Sequence, residues 1–149
     1  MDGIFIFIIF VMLLLTNIKN LILMKNENIK ETTNKFLDGT WHKRTFDNNG
    51  NKLSFEDSDG FWNKSTFDDK GNKLSFEDSD GFWNKSTFDN KGNELSFENS
   101  TGYWTKRTYD SNGNQLSYED SYGNWDKSTY DKNGNELTYE NSNGIKRNN

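Results

Sequence analysis

Cysteine, proline and alanine are all missing from this chain of 149 residues. Without cysteine there are no disulfides and no thiolate metal sites, and the redox compartment leaves no mark on the sequence. Histidine is nearly missing too: His42 stands alone, and a catalytic or metal centre built on paired imidazoles is excluded. Apolar residues are scarce at 31%, and many of them sit in the first 24 positions. The remainder is aromatic, charged and Asn-rich, without a long aliphatic run. A thick two-layer core is hard to build from such material, whereas a ribbon with one apolar face is feasible. The net charge is -5, with basic and acidic residues alternating at short range and no basic stripe, so nucleic acid is not expected as a partner.

The one long apolar run comes first. Ile4 to Leu15 is twelve uninterrupted apolar residues, followed by TNIKN and a second short run, LILM. Twelve is the length of a signal-peptide core, whereas a membrane span takes about 20. Extending the run to Met24 reaches that length only by including Asn17, Lys19 and Asn20, which is costly at the bilayer centre. Asp2 stands where a signal peptide carries Lys or Arg, and no small-x-small cleavage site follows. Two readings stand: a hydrophobic helix that makes the protein secreted or membrane-anchored, or a translation start at Met24 that leaves it cytoplasmic. The expected organisation is a leader at 1–24, a polar linker at 25–38, five repeats at 39–143 and a C-terminal stub at 144–149.

The repeats are the dominant feature. "WNKSTFDDKGNKLSFEDSDGFW" runs from 62 to 83 and is followed by "WNKSTFDNKGNELSFENSTGYW", a unit of 21 residues that opens at Gly39, Gly60, Gly81, Gly102 and Gly123. Two kinds of segment alternate within each unit. Trp62 to Phe67 carries Trp, Thr and Phe and reads as a strand; Lys73 to Glu77 alternates Leu74 and Phe76 with polar residues and reads as another. Between them lie Asp68-Asp69-Lys70-Gly71 and Asp78-Ser79-Asp80-Gly81. Asp first and Gly fourth is the pattern of a type I turn whose glycine is left-handed. The fold class is therefore all-β: an antiparallel β-hairpin repeat array of about ten short strands.

The faces follow from register. If Phe67 and Asn72 flank a four-residue loop, Ser65 faces Leu74 and Asn63 faces Phe76; Phe67, Leu74 and Phe76 then share an apolar face. The other face shows Trp62, Lys64, Thr66, Ser75 and Glu77, with Lys64 diagonal to Glu77. A bulge at Gly71 would instead place Trp62, Lys64 and Thr66 with Leu74 and Phe76. The first register is preferred because it separates apolar from polar.

"FDDKGNKLSFEDSDG" and "YDKNGNELTYENSNG" resemble the tyrosine-aspartate repeats of the RHS family: an aromatic-Asp pair, Gly four residues after the aromatic, Asp or Asn at eleven, Gly at fourteen, and the same period. The likeness recurs in all five units. Phe replaces Tyr in the first three, Gly-Asn stands for the family's Gly-Arg, and Ser for the Pro before the last glycine. The resemblance implies antiparallel β-ribbons that in the family spiral into a shell, often around a C-terminal toxin at a cell surface. Five units fall short of a closed shell. The repeat is also similar, with a poorer fit in spacing, to the aromatic, Gly-rich repeats of bacterial wall-binding modules and to variant MORN repeats.

No catalytic constellation is present. The position of His42 is Asn63, Asn84, Thr105 and Asp126 in the other units, as suits a solvent-facing strand residue, and the serines lack an activating partner. No cofactor is expected. Asp57, Asp59, Asp78 and Asp80 offer hard oxygens beside a sharp turn, like the latter part of a calcium loop, although Asp at a turn also caps its own backbone. Asn63-Lys64-Ser65, Asn84-Lys85-Ser86 and Asn99-Ser100-Thr101 match the N-glycosylation pattern, which has meaning only in a eukaryotic secretory pathway. The strongest candidates are the tryptophans Trp41, Trp62, Trp83, Trp104 and Trp125, with Lys43, Lys64, Lys85, Lys106 and Lys127 two residues on. They read either as a ladder that stacks on sugars or meets a protein surface, or as packing between units with Lys over the ring. The expected function is that of a non-catalytic binding module at a surface or anchored to a membrane, the alternatives being a structural or vestigial array with no ligand and a calcium-binding repeat module. The unpaired outer strands predict edge-to-edge self-association or some protection of the edges.

Overall fold

The computed structural model describes residues 29–149; the expected hydrophobic leader lies outside them. Each unit contributes two six-residue strands, as the alternating pattern predicts. The strands are β1 Lys30–Lys35, β2 Trp41–Phe46, β3 Lys52–Asp57, β4 Trp62–Phe67, β5 Lys73–Asp78 and β6 Trp83–Phe88, then β7 Glu94–Asn99, β8 Trp104–Tyr109, β9 Gln115–Asp120, β10 Trp125–Tyr130, β11 Glu136–Asn141 and β12 Lys146–Asn148. They form one antiparallel sheet in which every strand pairs with its neighbours in sequence. Among the described residues there is no helix.

Twelve strands form where about ten were expected. The extra ones are β1, inside the segment read as a polar linker, and β12, inside the stub. Their sequences, KETTNK and KRN, carry no apolar pattern. An outer strand needs little more than the free backbone donors and acceptors of the strand before it.

The turns explain the regularity. Asp68 N donates to Asn72 O (3.0 Å) and Gly71 N to Asp68 O (3.0 Å), and the same pair of bonds recurs in every turn of this kind. Gly71 sits at φ 86°, and all eleven described glycines lie in the left-handed region, between 79° and 95°, where an L side chain is strained. The loop thus spans Asp68 to Asn72 and Phe67 meets Lys73, which shifts the register from the expected one. Ser65 pairs with Phe76, Asn63 with Asp78, and Lys64 directly with Glu77. Leu74 is the extra residue of a bulge, because Thr66 pairs with Ser75 while Phe67 pairs with Lys73. The displacement beyond the bulge is two residues, the period of a strand, so the expected faces survive.

Neither face closes over a core. Among the described residues no apolar side chain is buried, and the buried residues are polar: Ser65, Thr105, Asp120 and Ser128. Neighbouring units are joined on the apolar face by aromatic pairs, Phe55 with Phe61, Phe76 with Phe82 and Phe97 with Tyr103, each with ring centroids 6.1 Å apart. His42 belongs to this face. Its ring lies between Phe36 (5.0 Å) and Phe55 (5.4 Å), half-buried, which corrects its reading as a solvent-facing residue.

Candidate functional site

The opposite face gathers the predicted Trp and Lys residues. Lys64 on β4 pairs with Glu77 on β5, and Glu77 pairs with Trp83 on β6. Level with Lys64, therefore, stands Trp83, whereas its own counterpart in the next unit is Lys85; successive units slip by two residues. Because of the slip, a row that runs straight across five strands takes a different residue at each: Thr66, Ser75, Lys85, Glu98, Trp104. The same row recurs one unit on as Thr87, Ser96, Lys106, Glu119, Trp125.

Each tryptophan is held by its backbone at the edge of a turn. Ser79 N donates to Trp62 O (2.9 Å), and Trp62 N donates back to Ser79 Oγ (3.3 Å). Trp83 with Ser100 and Trp104 with Ser121 repeat the exchange. The indole itself meets the lysine two residues on. Lys64 Nζ lies 4.8 Å from the Trp62 ring centroid, Lys85 5.2 Å from Trp83, Lys106 5.0 Å from Trp104 and Lys127 5.6 Å from Trp125. Lys43 is turned instead to Glu31 (3.0 Å). Trp83 and Trp125 are exposed, at 36% and 37%, whereas Trp41, Trp62 and Trp104 are half-buried.

Between successive tryptophans the face is grooved. A depression of 740 Å³ lies between Trp104 and Trp125, with Lys106, Thr108, Glu119 and Lys127 in its lining, and one of 460 Å³ lies beside Trp83 alone, against Lys64, Thr66, Ser75, Glu77 and Lys85. Paired hydroxyls line the two depressions, Thr66 Oγ1 and Ser75 Oγ 2.6 Å apart and Thr108 and Ser117 2.6 Å, and Thr87 and Ser96 repeat the pair at 2.7 Å on the strands between. Sequence reasoning put Thr66, Ser75 and Glu77 on this face without assigning them a part in the site. The signal was their recurrence at fixed offsets from each Trp. Charge is balanced locally, with Lys64 3.9 Å from Glu77 and Lys106 3.7 Å from Glu119. The groove thus offers flat aromatic surface, hydroxyls, and both a cation and an anion at each step.

The turn aspartates are occupied differently. Asp57 Oδ1 accepts from the backbone of Asp59 and Phe61, and Asp78 Oδ1 from Asp80 and Phe82. Asp59 and Asp80 enter these turns through their N–H groups. Among the described residues no three or more His, Cys, Asp or Glu side chains converge as a metal site would need. The sequons also fall in ordered places: Asn63 and Asn84 are half-buried in mid-strand, and Asn99 Oδ1 accepts from Thr101 N, Thr101 Oγ1 and Tyr103 N.

Two further clusters lie on the aromatic side. Tyr118 OH is 3.4 Å from Tyr103 OH and donates to Asp120 Oδ2 (3.1 Å). The hydrogen bond with Tyr103, burial and the bond to Asp120 together hold the Tyr118 phenol well above its ordinary range. Arg107 reaches Glu94 at 2.5 Å and lies over the Tyr118 ring, 5.3 Å from its centroid.

No protein-family model matches the chain, and no curated protein matches its sequence. Solved structures do. The crystal structure of TcdB2-TccC3-TEV aligns with 72% of this chain at 18% identity and a TM-score of 0.50. Those of TcdB2-TccC3 and TcdB2-TccC3-Cdc42 align at the same identity with TM-scores of 0.49. The likeness is one of fold. The chain spans 6% of the length of these structures' chains, and what it shares with the first is the antiparallel repeat sheet.

Proposed function

We propose that this chain is a non-catalytic repeat module of the RHS, or tyrosine-aspartate, kind whose tryptophan face binds carbohydrate. The repeat sequence and the fold shared with the TcdB2-TccC3-TEV structure support the module. The observation that carries the ligand is the depression between Trp104 and Trp125, where indoles flank a Thr–Ser hydroxyl pair and a Lys–Glu couple, with a related depression beside Trp83. Sugars present C–H faces that stack on indole and hydroxyls that exchange hydrogen bonds with such groups. No step of this reading calls for a nucleophile or a proton relay.

One observation favours the rival reading of a structural array without a ligand: the lysines already cover the indoles. Their hold is weak. An exposed cation–π contact is worth about 0.5–1 kcal/mol, less than stacking of a sugar together with its hydroxyl bonds can return. No tryptophan pairs with another aromatic ring among the described residues, the joints between units being the Phe and Tyr pairs of the other face. A glycan array probed with the full chain and with a Trp83→Ala/Trp104→Ala variant tests the proposal. Specific binding lost in the variant supports it; no specific binding, with tryptophan emission unmoved by any glycan, returns the chain to the structural reading.

A further inference from the structure

The spacing of the tryptophans restricts which carbohydrate fits, an inference that rests on the binding role proposed above. Consecutive tryptophans sit two strands apart and two residues out of step. With about 4.8 Å between strands and about 3.3 Å per residue, that places them about 12 Å from one another along a diagonal. Five such positions, from Trp41 to Trp125, extend over about 47 Å. A single sugar touches one of them. A chain of equatorially linked pyranose rings, which is flat and carries C–H groups on both sides, passes from one indole to the next in somewhat more than two rings.

Charge selects among such chains. Each lysine that follows a tryptophan by two residues stands opposite a glutamate, as Lys64 does Glu77 and Lys106 does Glu119, so the row is neutral at each unit between its ends. An anionic polymer meets as many carboxylates as ammonium groups and gains nothing from its charge. A neutral chain uses both as hydrogen-bond partners. The row also has defined ends: Lys35 faces Trp41 where later units place a glutamate, and Lys146 stands where the next tryptophan would fall. We infer that the face binds a neutral, linear, β-1,4-linked glycan laid across the strands, with one tryptophan engaged at each unit.

Such binding is multivalent, and linked contacts raise affinity by about 10²–10⁴ over a single one. The test titrates the full chain with cello- and chito-oligosaccharides of two to eight rings, followed calorimetrically and by tryptophan emission. The expected result is binding of the disaccharides too weak to measure, with affinity rising at least about a hundredfold from the shortest binding oligomer to the longest. A Trp83→Ala/Trp104→Ala variant, checked for an unchanged circular dichroism spectrum, is expected to lose that rise and keep only the weak binding of short oligomers. Affinity that does not depend on length in the unaltered protein overturns the spanning mode while leaving carbohydrate binding in place. Failure of both series, with binding on the array only to anionic glycans, overturns the neutral class. Failure of every glycan overturns the binding role itself.

Discussion

Asn72 closes on Asp68 from three directions: its Nδ2 donates to Oδ2 (2.8 Å), its backbone N–H to Oδ1 (2.8 Å), and its carbonyl accepts from the Asp68 N–H (3.0 Å). The side-chain bond from asparagine is the leading cause that holds this carboxyl below its ordinary value, and Asp47, Asp89, Asp110 and Asp131 share the arrangement. A carboxyl whose folded value is depressed stabilises the fold above its unfolded value, near about 3.9, and loses that contribution as pH falls through the folded value. The urea midpoint should therefore be flat from neutral pH to about 4.5 and fall below about 4. A midpoint that holds steady down to pH 2.5 would show that these turns do not couple to protons.

Gly71 lies at φ 86°, and a Cβ placed there would meet only Asn51, at 3.8 Å. Space is available, so conformation sets the cost. Gly71→Ala should destabilise by about 1–2 kcal/mol, the usual penalty of the left-handed region for a residue with a Cβ. Chemical denaturation measures it, and a loss under about 0.3 kcal/mol would mean that the turn relaxes out of that region.

Phe82 and Trp83 are neighbours on opposite faces, and the two faces predict different responses. Phe82 pairs with Phe76 across a unit boundary, so Phe82→Ala should cost about 1–2 kcal/mol, below the value for a fully buried ring because it is partly exposed. Trp83→Ala removes an indole covered by one lysine and should cost less than about 1 kcal/mol while reducing the ligand-induced fluorescence change. Equal losses of stability would make the tryptophan a joint between units.

Much of this architecture is legible in the residues. The period, the Asp-x-x-Gly turns and the two faces follow from local chemistry that each unit repeats. Register does not. Pairings two residues apart put the same side chains on the same face, so amphipathicity cannot choose between them. The choice was made by the loop that Asp68 and Asn72 close and by the bulge at Leu74. The Ser79–Trp62 exchange joins residues 17 apart and follows only once that register is known. β1 and β12 are held by backbone pairing and have no pattern to read. His42 was misplaced because its counterparts are polar, while its own neighbours, Phe36 and Phe55, are aromatic.

Both outer strands carry charge at the open edge, with Lys30 and Lys35 in β1 and Lys146 and Arg147 in β12. Charged edges discourage strand addition. Sedimentation velocity of a Lys146→Val/Arg147→Val variant should show stronger concentration-dependent association than the unaltered chain. Equal association of both would mean that the edges are not what keeps copies apart.

A sheet in which, among the described residues, only polar side chains are fully buried has an unusual relation to temperature. The Leu and aromatic side chains of its strands are covered in part rather than fully, so unfolding uncovers less apolar surface per residue than in a domain with a closed core. The heat-capacity increment should then lie well below the ~12–15 cal/mol/K per residue of ordinary domains. Its stability curve is correspondingly shallow, changing little on cooling and declining gradually on warming, so that the tryptophan face keeps its geometry over a wide thermal range.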